Sequence, residues 1–294
     1  RVLFRSLMAA KGVSLIVTVD NGVSANAAIA HAKEQGVDVV VTDHHLPPQT
    51  LPEAAAIVNP QLPGDESPCK TLSGAGVAFK LAAALDGCTP DEMLPFYGDL
   101  AAIGTIADIM LLEGENRRIV KAGLALLQQT ERPGIAALIE ACGLGGKELT
   151  AENVSFGLAP RLNAAGRMDS AAAALELLLC EDPEEAEAIV AGLEAQNAAR
   201  QKAEQDILQG VLDSVAADET YGADRILVVW GRGYHQGVIG IVASRVVERF
   251  GKPAIIVSVD ENGEGKGSGR SIAGVSLYNA IAACGDLLIR FGGH

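Results

Sequence analysis

The sequence predicts an α/β protein in which a parallel-sheet domain is joined by a long helix to a smaller α/β domain. Three observations support this fold class. Short β-branched runs alternate with helical stretches in the first third of the chain, the pattern of β-α-β units. A stretch with few helix breakers begins at Pro183, and a second strand–helix–strand pattern follows it.

The first three strands are predicted from apolar, β-branched runs at residues 14–20, 38–43 and 54–60. The first two runs each end in an acidic residue. Ser24 is predicted to cap a helix over residues 25–36, and Gly36 to end it. Because strands that alternate with helices pair in parallel, both faces of this sheet are expected to be covered.

Helical periodicity continues after the third strand, although more weakly. The expected helices span residues 1–12, 73–85, 117–129 and 133–142, with a short helix or loop around 97–112. The second α/β region has strands predicted at residues 225–230 and 253–260, with a helix at 238–251 between them. A glycine-rich strand or loop at 265–272 and a last helix at 276–288 follow. The predicted organisation is therefore a first domain over 1–182, a connecting helix over 183–216 and a second domain over 217–294, in keeping with about 150 residues per domain.

The composition excludes several classes of protein. An apolar fraction of 49% can fill one or two cores, and no run of 18 or more uncharged apolar residues predicts a membrane span. Five scattered cysteines without a C-x-x-C pair predict neither a disulfide framework nor a structural zinc site, and they favour the cytosol as the compartment. Lys and Arg number 23 against 37 Asp and Glu, and the resulting charge of −14 argues against binding nucleic acid over the whole surface.

Acidic and imidazole side chains follow the first two predicted strands. Asp20 closes the first strand, and Asp43, His44 and His45 close the second. The carboxyl ends of parallel strands form the ligand crevice of an open sheet, and carboxylates with imidazoles suit Mn²⁺, Fe²⁺ or Zn²⁺. Adjacent side chains on an extended segment point in opposite directions, so one histidine is expected to face a metal and the other a substrate. For an isolated D-H-H a helix cap with exposed histidines is the favoured interpretation, but Asp20 shifts the balance.

Asp108 lies in the otherwise apolar segment AAIGTIADIM. A buried acid is costly unless it is paired or bound to a cation, which makes Asp108 a further candidate ligand. A helix-terminal or exposed acid is an equally good interpretation of this residue alone.

Three basic segments are candidates for phosphate binding. APRLNAAGRM carries Arg161 and Arg167 among small residues, GKGSGRS carries Ser268 and Arg270 among glycines, and His235 precedes a predicted helix N-terminus. Ordinary surface arginines, a glycine-rich hairpin and an exposed loop histidine are the respective alternatives. His294 ends the chain and is interpreted as a tail unless more protein follows. No nucleophile elbow or Cys/His pair is present, so the chemistry on offer is metal with phosphate rather than acyl transfer.

Eight segments occur in an order that closely resembles the RecJ family, the single-strand-specific 5′→3′ DNA exonucleases of the DHH phosphoesterase superfamily. The segments are VTVDNG, VTDHHLP, SGAGVAFK, GTIAD, APRLNAAGRMDSA, YHQGVIGIVASR, KGSGRSI and FGGH. The similarity extends from about residue 10 to the last residue. D-H-H by itself is a weak motif, whereas the ordered set, above all APRLNAAGR with YHQGVIG, is specific to this family.

The resemblance implies a DHH domain, a connecting helix and a DHHA1 domain, with the active site in the groove between them and two divalent cations, Mn²⁺ or Mg²⁺, as cofactors. Asp20 matches a bridging carboxylate, and His44 and Asp108 match ligands of one ion. His45 matches a histidine that lies against the scissile phosphate. Asp43 matches a partner that orients an imidazole.

The resemblance also assigns the substrate-binding residues. Arg161, Arg167, Ser268 and Arg270 match residues that hold the 5′ end of the substrate, and His235 and His294 match motifs that line the same groove. The aspartate-rich first motif of the family, D-x-D-x-D-G, is missing from the sequence, and the last motif stops at FGGH. We therefore expect a chain that is incomplete at both ends, with an incomplete second metal site and with weak or no activity by itself.

The implied function is metal-dependent 5′→3′ hydrolysis of single-stranded DNA to 5′-mononucleotides in DNA repair and recombination. The implied partners are single-stranded DNA with a 5′ phosphate, a single-strand-binding protein and a RecQ-type helicase. Two alternatives remain open: a phosphodiesterase of the short DHH–DHHA1 class acting on nano-RNA or cyclic dinucleotides, and a non-catalytic scaffold that resembles RecJ. Retention of Asp20, His44, His45 and Asp108 argues against the scaffold.

Overall fold

The structure, a computed structural model, describes residues 12–218 and 220–292. The helix expected at the N-terminus lies almost wholly outside these residues. The chain forms two compact units, Arg1–Ala159 and Pro160–His294. This division falls before the expected domain boundary at residue 182, and the predicted boundaries stay a prediction.

The first unit contains a three-stranded parallel sheet in the order β1-β2-β3. Its strands are β1 (Leu15–Val19), β2 (Asp38–Thr42) and β3 (Ala56–Val58). The same unit contains the helices α1 (Asn26–Glu34), α2 (Gly74–Asp86), α3 (Pro90–Ala107), α4 (Gly114–Leu127) and α5 (Pro133–Ala141), of which α1 and α2 pack against the sheet. A short helix α6 (Ala151–Asn153), a π-helical turn (Val154–Leu158) and the start of α7 (Ala159–Met168) complete the unit.

The sequence explains most of these elements directly. β-branched side chains make β2 a buried central strand, and Val39 and Val41 pack with Ile29 and Ala32 of α1. The cap predicted at Ser24 is wrong, because Ala25 occupies the N-cap position after a turn in which its amide donates to the carbonyl of Gly22.

The expectation of only a short helix or loop around residues 97–112 is also wrong. The helix α3 begins at Pro90 and runs for 18 residues. Thr89 and Glu92 form a capping box, and Pro90 sits in the first turn, where a missing amide costs nothing. Pro95 lies inside the helix, which is tolerated because α3 packs closely against both α2 and α4.

The second unit is built on a sheet of three strands in the order β4-β5-β6. The strands are β4 (Leu227–Arg232), β5 (Ala254–Val259) and β6 (Gly265–Arg270), with β4 and β5 parallel and β6 antiparallel to β5. The helices are α8 (Ala172–Leu179), α9 (Pro183–Ala217), α10 (Thr220–Ala223), α11 (Ile239–Phe250) and α12 (Leu277–Ala282), followed by a 3-10 turn (Gly285–Leu287).

The long helix predicted from Pro183 is present as α9, with 35 residues and Asp182 as its N-cap. Its C-terminal half contributes Ile207 and Val211 to the core of the second unit, where they pack with β4, β5 and α11. The α/β prediction, with a parallel sheet and a second sheet, is confirmed. Within residues 12–218 and 220–292, no helix combines the length and the apolar character needed to cross a membrane.

Gly123 on α4 permits a close approach between α3 and α4. A Cβ at this position would lie 2.3 Å from both the Gly98 carbonyl oxygen and the Ala102 Cβ. We expect Gly123→Ala to lower the free energy of unfolding by about 1–3 kcal/mol, because the helices must separate. Urea unfolding followed by circular dichroism measures this loss. An unchanged unfolding midpoint would contradict the packing argument.

Candidate functional site

The carboxyl ends of β1 and β2 meet at one edge of the first sheet. Val19 pairs with Thr42 at the last step of the parallel ladder. Asp20 therefore follows β1 next to the place where the Asp43–His45 segment follows β2. Parallel pairing brings residues that are more than twenty positions apart in sequence into one cluster.

Asp20 adopts a backbone conformation that is unusual for a residue other than glycine. Its φ is +60°, in the left-handed region. The turn after it is held by hydrogen bonds from Thr18 Oγ1 to the Asn21 carbonyl and from Asn21 Nδ2 to the Val19 carbonyl. Such a conformation costs about 1–3 kcal/mol and is concentrated at functional sites, because surrounding structure must hold it.

The His44 ring lies between two carboxylates. Its Nε2 is 2.9 Å from Asp20 Oδ1 and 3.4 Å from Asp108 Oδ2, and the side chain is only 9% exposed. Despite these short distances, Nε2 forms no hydrogen bond, since neither contact has suitable geometry. A buried nitrogen that is surrounded by carboxylate oxygens but not hydrogen-bonded to them has the surroundings of a metal ligand.

The donor set fits a divalent cation. Asp20, His44 and His45 each offer one ligand atom, and these atoms lie within 4.8 Å of one another. Asp108 adds a second carboxylate through its contact with His44. Mixed carboxylate and imidazole ligands are the set expected for a transition metal such as Mn²⁺.

Asp43 does not cap a helix, which corrects the alternative interpretation of D-H-H. The residue is buried, and its Oδ2 accepts a hydrogen bond from the Val23 amide at 2.9 Å. Its Oδ1 accepts from the amides of His44 and His45, at 2.8 and 3.2 Å, and pairs with His45 Nδ1 at 2.7 Å. Burial raises the pKa of Asp43, but these hydrogen bonds outweigh it and lower the pKa below its ordinary value.

The rings of His44 and His45 lie next to each other, which corrects the expectation that the two side chains point in opposite directions. Their ring centroids are 4.5 Å apart. The alternation of side chains holds only on an extended strand, and β2 ends at Thr42, before this segment. Because a carboxylate can only accept a hydrogen bond, His45 Nδ1 is the donor to Asp43.

Asp108 is placed by the end of α3 and by the loop that follows it, which no sequence motif marks. The residue is the C-cap of α3, and the next residue, Ile109, has a φ of +56°. Asn116, fully buried on α4, donates through Nδ2 to the carbonyls of Leu111 and Thr71. These bonds fix the loop after Asp108, and only tertiary structure reveals the role of Asn116.

We expect Asp43→Asn to lower the free energy of unfolding by about 3 kcal/mol, measured by urea denaturation. In this variant an amide nitrogen would replace one of the two carboxylate oxygens and would face the N–H groups that donate to that oxygen. A buried donor left without an acceptor costs about 1–3 kcal/mol. Asp38→Asn is the matched control, since Asp38 is exposed at the start of the same strand. Equal losses in the two variants would contradict the proposed role of the Asp43 hydrogen bonds.

The basic residues singled out from the sequence lie in the second unit. Arg161 forms an ion pair through Nε with Glu194 of α9. Arg167 Nη1 is 3.4 Å from the Gly237 carbonyl, just before α11. His235 Nδ1 accepts the Gly237 amide at 3.2 Å, which shapes the same turn.

Ser268 and Arg270 of β6 lie against the first turn of α11. A Cβ at Gly240 would be 3.0 Å from Ser268 Oγ and 3.2 Å from Arg270 Nη2, so both side chains pack closely against the helix backbone at this glycine. Arg270 Nη1 also donates to the Gly269 carbonyl at 2.8 Å and to Ser268 Oγ at 3.4 Å. A helix N-terminus with a hydroxyl and a guanidinium beside it suits an anion.

Several arginine side chains lie close to one another in this region. Burial lowers the pKa of Arg167, and the nearby Arg200 and Arg270 lower it further, while Glu204 opposes the shift. Arg200 and Glu204, which pair at 2.7 Å on α9, were not identified from the sequence, because a helical surface pair is common. Like charges held close together favour binding of an anion. His294 lies outside the described residues.

Two family models match the sequence. One is the DHH family, N-terminal domain, over residues 3–105, and the other is the DHHA1 domain, over residues 223–294. Together they cover Asp20, Asp43, His44 and His45 at the strand ends, but not Asp108. They also cover the segments that contain His235, Ser268 and Arg270.

Several similar proteins are named RecJ. The single-stranded-DNA-specific exonuclease RecJ of Bacillus subtilis is 47% identical over 293 residues, which cover 99% of this chain and 36% of the relative. The structure of RecJ with Mn²⁺ from Thermus thermophilus superposes with a TM-score of 0.85 at 38% identity, covering 100% of this chain and 43% of the other. A crystal structure of exonuclease RecJ bound to manganese gives 0.79 at 39% identity, with 98% and 71% covered. The chain spans about a third to a half of the length of the curated relatives it matches.

Proposed function

The chain belongs to the RecJ family of DHH–DHHA1 proteins, and from this premise we propose that it is the hydrolytic part of a metal-dependent exonuclease that degrades single-stranded DNA. The observation that carries the proposal is the buried His44 Nε2 between the carboxylates of Asp20 and Asp108, close to both but hydrogen-bonded to neither. That arrangement supports metal-assisted phosphodiester hydrolysis, in agreement with the activity named for the relatives.

Asp20, His44 and Asp108 are the residues that we propose hold the cation. Bound there, Mn²⁺ or Mg²⁺ would acidify a water molecule and neutralise charge on the reacting phosphate. Two ions are implied by the family resemblance, and the present residues supply ligands for one of them.

His45 and Asp43 act together in the proposal. The Asp43 carboxylate fixes the proton on His45 Nδ1, so that the His45 ring keeps one orientation and directs Nε2 at the phosphate. Protonated on both nitrogens, the same ring would donate a hydrogen bond to a phosphate oxygen and stabilise its negative charge. Asp43 thus acts through His45 rather than on the substrate.

The second unit supplies the proposed contacts to the 5′ end of the DNA. Arg167, Ser268 and Arg270 gather near the start of α11, and their donors suit a terminal phosphate. Arg161 and His235 are proposed to contribute to the same binding surface. Recognition of a 5′ phosphate would give the enzyme its 5′→3′ polarity.

The test compares hydrolysis of a 5′-phosphorylated single-stranded 30-mer, the same sequence as a duplex, and a dinucleotide. We expect Mn²⁺-dependent release of 5′-mononucleotides from the single strand only, measured by chromatography with the protein encoded by the complete gene, and weak or no release with the 294-residue chain. Preference for the dinucleotide would favour the short DHH–DHHA1 class, and binding of DNA without binding of Mn²⁺ would favour the scaffold. Either result would overturn the proposed exonuclease.

Three parts of the interpretation stay predictions. These are the domain boundaries, the cytosolic location, and association with a single-strand-binding protein or a RecQ-type helicase.

A further inference from the structure

The SGAG segment, residues 73–76, has no role in the proposed hydrolysis, yet it touches the elements that carry both proposed carboxylate ligands. We propose that Ser73, Gly74 and Thr105 are positioning residues that set the separation of the Asp20 and Asp108 carboxylates. This inference rests on the proposed metal-binding function and adds a mechanical basis for it.

Gly74 provides the first link. A Cβ at Gly74 would lie 2.4 Å from Cβ, Cγ and Oδ1 of Asp20, so the Asp20 side chain occupies the space that any larger residue would fill. Gly74 is the first residue of α2, and its φ is not in the left-handed region. Its requirement for glycine therefore comes from the carboxylate packed against it and not from the backbone.

Ser73 and Thr105 provide the second link. Ser73 is the N-cap of α2 and accepts the Gly76 amide at 2.9 Å. Its Oγ is also 2.9 Å from Thr105 Oγ1 on α3, and both residues are buried. A buried hydroxyl pair with fixed partners ties the start of α2 to the last turn of α3.

The third link runs from α3 to Asp108. A Cβ at Gly104 would lie 2.4 Å from the Ala75 Cβ, so the two helices approach as closely as their backbones allow. The Gly104 carbonyl accepts the amide of Asp108 at 3.0 Å. A continuous set of short contacts therefore connects one carboxylate to the other through α2 and α3.

The spacing matters because His44 Nε2 lies between these carboxylates. If Asp20 moves away from α2, the ligand atoms no longer converge on one point. Changing residues that orient metal ligands typically weakens metal binding by 10- to 100-fold. The SGAG and GTIAD motifs are thus explained as two segments that together set the positions of the Asp20 and Asp108 carboxylates.

The experiment measures Mn²⁺ affinity of the 294-residue chain by the electron paramagnetic resonance signal of the free ion. We expect Gly74→Ala to weaken binding roughly 10- to 100-fold, Thr105→Val to weaken it less, and Thr105→Ser, which keeps the hydroxyl, to bind like the wild type. Gly231→Ala is the matched control, since its added Cβ would lie 2.2 Å from Tyr234 Cζ in the second unit and would leave the contacts of α2, α3 and α4 unchanged. It should lower stability and leave the affinity unchanged.

A second readout uses the metal-free protein. The imidazole signal of His44 in a ¹H–¹³C NMR spectrum, assigned with His44→Gln, should shift in Gly74→Ala and Thr105→Val and stay in place in Gly231→Ala. Wild-type affinity in both Gly74→Ala and Thr105→Val, or an unmoved His44 signal, overturns the positioning role. Absence of Mn²⁺ binding by the wild type overturns the proposed function instead, and the NMR result then decides the inference by itself.

Discussion

We expect His44→Gln to weaken Mn²⁺ binding by at least about 100-fold and to abolish Mn²⁺-dependent DNA hydrolysis. The change removes a directly ligating nitrogen, and the loss should exceed the 10- to 100-fold caused by altering the residues that merely orient a ligand. Glutamine keeps a polar side chain of similar length, so the buried position stays filled. Isothermal titration with Mn²⁺ measures the affinity, and nucleotide release from a single-stranded oligonucleotide measures the activity.

His31→Gln serves as the control for this prediction. His31 lies on α1 of the same unit and contacts Glu34 at 3.5 Å, so it tests loss of a histidine outside the strand-end cluster. We expect its affinity and activity to match the wild type. Mn²⁺ affinity in His44→Gln within threefold of the wild type would show that the cation binds elsewhere, and the proposed site would have to be abandoned.

The cluster of Asp20 and His44 illustrates what the sequence can predict. The positions of β1 and β2 follow from β-branched runs that end in acids, and parallel pairing then brings the two strand ends together. These are local patterns joined by one topological rule. The long helix α9 is predicted for a similar reason, because 35 residues with few breakers and a Pro after an Asp cap leave little choice.

Other features depend on contacts that the local sequence does not encode. A proline inside a helix removes a backbone hydrogen bond, yet α3 continues through Pro95 because packing against two neighbouring helices outweighs the lost hydrogen bond. The direction of His45 depends on the Asp43 carboxylate, which bends the segment that follows β2. The need for glycine at position 74 becomes visible only when Asp20, 54 residues earlier in the sequence, is seen against it.

The second large effect is expected for Arg270→Ala, which should reduce the preference for a 5′-phosphorylated over a 5′-hydroxyl oligonucleotide by roughly 10- to 100-fold. A hydrogen bond to a charged group contributes about 1.5–3 kcal/mol, and each 1.4 kcal/mol is a factor of ten. Fluorescence anisotropy with the two oligonucleotides measures the preference. For the phosphorylated oligonucleotide, the slope of log affinity against log salt concentration should also become shallower by about one unit.

Arg249→Ala is the matched control, because Arg249 is exposed in the last turn of the same helix whose start faces Arg270. It removes an equal charge from α11, and we expect it to leave the 5′-phosphate preference unchanged. A uniform loss of affinity for both oligonucleotides in Arg270→Ala would indicate general backbone attraction and contradict recognition of the 5′ end.

Arg270→Ala should also raise the thermal stability of the protein, although it weakens binding of the 5′ phosphate. Arg270 is one of the cations that lower the pKa of Arg167, which means that the folded protein holds these groups together against their repulsion. Removing Arg270 relieves that repulsion, so Arg270→Ala should unfold at a slightly higher temperature while binding the 5′ phosphate less tightly. A purely structural arginine would lose stability when replaced. Thermal unfolding without phosphate, compared with the oligonucleotide affinities, therefore separates a binding role for Arg270 from a structural one.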